Sequence, residues 1–289
     1  MTVLNVVVQG LLLGGLYALY AVGLSLIFGV MRIVNLAHGD FSILAAFIAL
    51  LVVDAFRLNP LVSLLAVVPV MFLVGFVLQR AILNLTLSGD EMRPILVTFG
   101  LSIIMQNALL ETFTADSQGL DAGFIENSSI TLTGDLAVGW FPLVIMGTAI
   151  VVITGLNFFL TRTQLGRAFR AASDDQEAVR LMGVNNQRVY ALAMGISLAI
   201  VALAGVIMGI RTTFDPTSGP LRLIFAYETV IIGGLGSSWG TLLGGMILGV
   251  SQALGAYASP GWGVLAGHLV FLAVLALRPQ GLLPKTANL

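Results

Sequence analysis

Few side chains in this sequence are equipped for chemistry, and they fall in two places. The first is Ile33-Val34-Asn35-Leu36-Ala37-His38-Gly39-Asp40, which offers an amide, an imidazole and a carboxylate around Gly39. The second is Glu228, just ahead of a glycine-rich run holding Gly233, Gly234 and Gly236. Both are flanked by long apolar stretches. An ionisable group in such surroundings is costly, so it pairs with another group or faces a wet cavity. Two roles stay open for the first set: lining a solute path, or holding a bend, with Asp40 capping a helix that begins at Phe41 and His38 satisfied by hydrogen bonds.

Enzymatic chemistry has little else to draw on. Cysteine is absent, which excludes disulfides and thiolate metal sites. The two histidines, His38 and His268, stand far apart and form no H-E-x-x-H pair. A phosphate-binding loop that hydrolyses ATP needs G-x-x-x-x-G-K-[ST], and the one lysine, Lys285, follows Pro284. No cofactor is expected on this chain. The 13 basic residues are scattered and none forms a run that tracks phosphates, so nucleic acid is not an expected partner.

The elements that must position these groups are written in the charge distribution. Of 289 residues, 58% are hydrophobic and 9% charged, against about 25% charged in a soluble domain. No Asp, Glu, Lys or Arg occurs in residues 2–31, 58–79, 94–110, 136–161, 189–210 or 229–277. A spanning helix needs about 20 apolar residues, and the last of these windows is long enough for two spans. The sequence predicts an all-α integral membrane protein, a polytopic bundle of about eight spans with two broken or re-entrant segments, in one transmembrane domain over residues 1–289. Residues 1–8 carry no basic group and no cleavage site follows a short apolar core. The start reads as a retained membrane segment.

Orientation follows from the arginines. Residues 111–135 carry five acids and no base, and form an external loop; residues 162–188 carry five arginines and belong in the cytoplasm. Arg80 and Arg93 agree with this arrangement, and Arg278 with Lys285 gives a cytoplasmic tail. Arg211 and Arg222 fall on the outer side and run against the rule, in a stretch whose Asp215, Pro216, Gly219 and Pro220 describe a short loop.

Two places resist a chain of full-length helices. After Asp40 only 13 uncharged residues precede Asp54, too few for a straight span. Past Glu228, the glycines at 233, 234 and 236 interrupt a spanning stretch. Such interruptions are tolerated at membrane depth only where protein or a wet cavity satisfies the freed backbone, and in transporters they line the solute path. Their positions near opposite ends of the chain raise the idea of an internal repeat. Glycine pairs at four-residue spacing, such as Gly10/Gly14, Gly205/Gly209, Gly240/Gly244 and Gly245/Gly249, are consistent with close helix packing.

The cytoplasmic loop contains a helix of its own. Ser173 with Gln176 makes an S-x-x-Q capping box, Asp174 and Asp175 suit its positive end, Arg180 its negative end, and Gly183 its stop. On residues alone this is equally a solvated connector. Glu177-Ala178-Val179-x-x-x-Gly183 resembles the EAA-x-x-x-G core with which ABC-importer permeases dock on their ATPases, though Val179 departs from the second Ala and the I-x-L-P continuation is missing. Residues 23–41, 166–185, 233–245 and 278–282 closely resemble LivH-type permeases of branched-chain amino acid importers.

That resemblance implies a subunit of the bacterial cytoplasmic (inner) membrane, embedded in lipid. Its expected partners are a second related permease, two cytoplasmic ATPases that consume the ATP, and an extracytoplasmic solute-binding protein. The region from Arg170 to Gly183 would act as the coupling lever. The solute would be a branched-chain or other small amino acid, although permeases of this pattern also carry urea and short amides. A stand-alone channel or secondary transporter, and a membrane enzyme dependent on His38 or Asp40, are the competing classes.

Overall fold

The structure is a computed structural model and describes residues 2–87, 92–133, 136–175, 179 and 181–283. In chain order the helices are α1 (Val3–Met31), α2 (His38–Phe56), α3 (Pro60–Ala81), α4 (Met92–Phe113), the single turn α5 (Phe124–Asn127), α6 (Trp140–Arg162), α7 (Gln164–Asp174), α8 (Asn186–Arg211), α9 (Gly219–Gly233), α10 (Ser238–Ala258) and α11 (Gly263–Leu277). A two-stranded antiparallel hairpin, β1 (Ser129–Thr133) with β2 (Leu136–Gly139), lies between α5 and α6.

Among the described residues, eight helical stretches are long and apolar enough to cross a bilayer: α1, α2, α3 with the short turn that continues it to Leu85, α4, α6, α8, α10, and α11 with the turn that extends it back to Pro260. Each follows from a charge-poor window bounded by a stop. Asn59 caps α3 by accepting from the Leu61 backbone N–H, with Pro60 at the first helical position, and Ser237 caps α10 by accepting from Gly240 N–H. Charge-free on every face, α1 is the buried axis of the bundle; 83% of its membrane window is enclosed, against 6% for α11. The second central helix is α8, at 78%.

One end carries α7 and residues 278–283, and is here the inner end because it holds the arginine-rich 162–188. The opposite, outer end gathers the acidic loop, where Gln118 and Phe214 exchange backbone hydrogen bonds of 2.8 and 2.9 Å. Residues 111–135, expected as a loop, therefore include the end of α4, α5 and β1, while β2 takes up the first residues of the 136–161 window. Gln9 Nε2 ties the start of α1 to this hairpin by donating to Ala137 O at 2.9 Å.

Two helices begin inside the bundle. From Arg32, at φ 55°, the chain doubles back, and residues 33–37 climb without helix until His38 lies beside Tyr20. Tyr20 to Met31 is 11 helical steps, so this return covers about 16 Å. From Arg211, residues 212–218 likewise turn back from the outer end, and α9 starts at Gly219 against Gly39 of α2. At 15 residues, α9 is about 22 Å long and too short to span.

The two halves have inverted topology. α1 runs inward, returns, and α2 runs out, followed by α3 in and α4 out; α8 runs outward, returns, and α9 runs in, followed by α10 out and α11 in. The most extensive helix pairings match across this symmetry, α1 with α10 and α8 with α3. Both depend on missing side chains. A Cβ on Gly14 would sit 2.5 Å from Met246 Cα, one on Gly249 2.3 Å from Gly10 O, and one on Gly75 2.7 Å from Met194 O.

Candidate functional site

The starts of α2 and α9 meet head to head in the middle of the bundle. A Cβ on Gly39 would lie 2.0 Å from Gly219 O, and one on Gly219 would lie 2.0 Å from Asp40 Oδ1. No residue but glycine allows this approach. Asp40, 1% exposed, therefore sits where two helix N-termini converge. Their partial positive charges favour its carboxylate. Ser102 Oγ donates to Oδ2 at 2.5 Å and Gln106 Nε2 to Oδ1 at 2.9 Å, both from α4.

The return before α2 is held by its own polar groups. Asn35 is fully buried; its Oδ1 accepts from Ala37 N–H at 3.0 Å and its carbonyl from His38 N–H at 3.3 Å. Thr98 Oγ1 on α4 accepts from Leu36 N–H at 3.1 Å. The His38 ring Nε2 lies 2.9 Å from Tyr20 O. Because Asn35 fastens the bend this early, α2 begins at His38 rather than Phe41. Asp40 falls in its first turn and faces α4 instead of capping a helix at Phe41.

Glu228 is buried on α9, and its Oε1 pairs with His268 Nδ1 on α11. The glycines expected to break a span mark an inner turn instead. Gly233 ends α9, Gly234 and Gly236 take φ of 107° and 77°, and α10 begins at Ser238. A Cβ on Gly233 would meet Gly240 O at 2.1 Å. The actual interruption of this half lies upstream at 212–218, because Asp215, Pro216 and Pro220 end α8 and set the start of α9 before the glycines are reached.

At the inner end, α7 is braced onto the end of α1. Ser173 Oγ donates to Gly29 O at 2.6 Å, and Arg32 donates back to Ser173 O at 3.3 Å. Arg170 donates to Leu160 O on α6 at 2.7 Å. A cavity of about 220 Å³ opens between these helices, bordered by Gly29, Asn157, Arg170, Gly236 and Ser237 among others. Gly236 and Arg170, predicted for different roles, thus share one space.

The expected capping box does not start a helix. Thr163 caps α7 by accepting from Gly166 N–H at 3.0 Å, and Gly166, Phe169 and Ala172 bury one face of that helix. This packing carries it through Ser173 and Asp174 to Asp175, which lie at its C-terminal end. Val179 N–H then bonds Asp175 O at 3.3 Å. Gln176, Glu177, Ala178 and Arg180 lie outside the described residues. Gly183 takes φ 82°, as a helix stop requires. Asn185 caps α8 by accepting from Arg188 N–H.

Several partners went unseen in the sequence. Ser102 and Gln106 were legible only as an i, i+4 polar pair on an apolar helix. Tyr17, which donates to Gln252 Oε1 on α10, carried no signal at all.

Comparison with known proteins gives this architecture its family. Residues 6–276 match the family model described as "branched-chain amino acid transport system / permease component". The chain is 30% identical to the high-affinity branched-chain amino acid transport system permease protein BraD of Pseudomonas aeruginosa, over 98% of this chain and 96% of that one. It is 26% identical to LivH of Escherichia coli over 96% and 94% of the two chains, and 27% identical to LivM of the same organism over 94% and 68%. No solved structure matches. Inverted halves, eight spanning helices and a match over nearly the whole length lead to one conclusion: this chain belongs to the branched-chain amino acid transport permease family.

Proposed function

We propose that the chain is one permease subunit of a binding-protein-dependent ABC importer in a bacterial inner membrane, moving branched-chain or other small amino acids by ATP-driven alternating access. It pairs with a second, related permease, as the separate names LivH and LivM for relatives of one transport system support. Two cytoplasmic ATPases supply the power, and an extracytoplasmic binding protein delivers the solute. The chain itself performs no catalysis and holds no cofactor.

The observation that carries this reading is the brace between Ser173, Gly29 and Arg32. A pull on the cytoplasmic loop reaches Arg32 directly, and Arg32 begins the return that ends at Asn35, His38 and Asp40. Closure of the ATPases moves α7 and the segment through Gly183, and the return segment shifts with it. On the other half, Gly236 borders the same cavity, and the turn it shares with Gly233 and Gly234 transmits the motion to α9 and Glu228. The path then runs between the α2 and α9 starts.

The test is uptake by the purified complex in proteoliposomes with binding protein outside and ATP inside. Concentrative, ATP-dependent accumulation of leucine is expected. Downhill flux that persists without ATPase subunits would favour a channel and overturn the importer reading.

A further inference from the structure

Arg211 ends α8 and Arg222 lies in the first turn of α9, on either side of the outer return. Neither has a carboxylate within salt-bridge distance among the described residues. Arg211 Nη1 and Arg222 Nε are enclosed and meet no acceptor there. Asp215, the nearby acid, is already engaged: Oδ1 accepts from Thr217 N–H at 2.9 Å and Thr217 Oγ1 at 2.5 Å, and Oδ2 from Ser218 Oγ.

Both guanidiniums are electrostatic neighbours of Tyr17 and Tyr20 on α1. Tyr17 also packs on Phe225 at 5.2 Å, so the cluster joins α1, α8 and α9 beside an aromatic wall. Arg211 further borders a cleft of about 450 Å³ at the outer end, between 119–121, Glu126 and 209–213. Arg222 lies within electrostatic reach of Asp215, and the cleft beside Arg211 also carries Asp121 and Glu126, yet no carboxylate touches either guanidinium among the described residues. Partly enclosed cations without a direct partner are costly, and enclosed donors without acceptors are rare in folded proteins. Guanidinium offers a planar fork of donors matched to a carboxylate.

We propose that Arg211 and Arg222 receive the carboxylate of the transported solute as it enters from the outer face. This rests on the importer reading above and narrows it: a neutral solute such as urea brings no charge to answer the pair, whereas an amino acid does, and its side chain meets the Tyr17 and Phe225 rings.

The test uses the complete reconstituted importer, its binding protein loaded with radiolabelled leucine, and rates normalised to assembled complex. Arg211→Gln and Arg222→Gln are each expected to lower maximal uptake at least ten-fold, leaving unchanged the binding-protein concentration that gives half the maximal rate. Arg222→Lys recovers part of the loss. No uptake by the wild-type complex overturns the importer reading; uptake of urea but not leucine overturns the carboxylate site. Equal rates in wild type and both Gln variants overturn the site alone. Two further results also overturn it: loss of the second permease from the purified Gln variants, which assigns the arginines to a subunit contact, or loss of a bound phospholipid in native mass spectrometry with uptake intact, which assigns them to a headgroup.

Discussion

At Asp40 a single carboxylate holds three elements: the starts of α2 and α9 converge on it, and α4 reaches it through Ser102 and Gln106. Asp40→Ala strands two buried donors, each at a cost of about 1–3 kcal/mol. The expected result is a clear fall in the thermal midpoint of the purified protein and loss of uptake, with Asp40→Asn intermediate because it keeps an acceptor. Gly39→Ala drives a methyl into the Gly219 carbonyl. Overpacking costs about 1–3 kcal/mol where side chains can yield, and here the opposing atom is backbone. Gly39→Ala is therefore expected to insert into the membrane yet lose uptake, whereas Gly100→Ala, which meets open space, changes neither; limited proteolysis and uptake together check this. The sequence marked Asn35, His38, Gly39 and Asp40 as a group because charge there is expensive. It did not show that they are enclosed, since Ser102, Gln106 and Gly219 come from elements 60 to 180 residues away, and one chain read alone carries no record of such pairings.

Among the elements, the spans were the most legible part, because a bilayer imposes a length and forbids charge. All but α2 appear where charge-free windows lie; α2 carries Asp40 and Asp54 within its length. The interruptions were only half legible: the 13 uncharged residues after Asp40 were expected to be too few for a span, yet α2 reaches spanning length by taking in His38, Gly39, Asp40 and Asp54, and nothing local distinguishes a half-helix ending at Gly233 from a full helix broken there. Tertiary contact with Gly240 decides it. The helix of the cytoplasmic loop, expected to start at Ser173, is shifted in phase for a similar reason, since the packing of Phe169 and Ala172 outweighs the capping preference of Ser173. For this element, Ser173→Ala removes one hydrogen bond to Gly29, a net loss of about 1 kcal/mol. A coupling equilibrium then shifts roughly five-fold, and leucine transported per ATP hydrolysed is expected to fall accordingly. Gly183→Pro cannot adopt φ 82° and is expected to abolish solute-stimulated ATP hydrolysis while insertion stays intact; unchanged stimulation in that variant would remove the lever from the mechanism.

Over the whole molecule, each of the inverted halves has one return and one helix that begins inside the bundle. The four-residue glycine spacings, which 33 glycines would supply in part by accident, become meaningful once α1 and α10 are seen to interlock through them. Gly249→Leu is expected to separate that pair and lower the yield of complex co-purifying with a second permease, measured against the Gly147→Leu control on an open face. The head-to-head start of α2 and α9 carries one last consequence. Neither helix continues through the other, so no hydrogen-bond ladder runs from one membrane face to the other along this line. Each of the two helices can tilt about the Gly39–Gly219 contact without dragging its opposite. The chain therefore has the anatomy of an airlock, two doors hung on one shared post, and Asp40 is the pin.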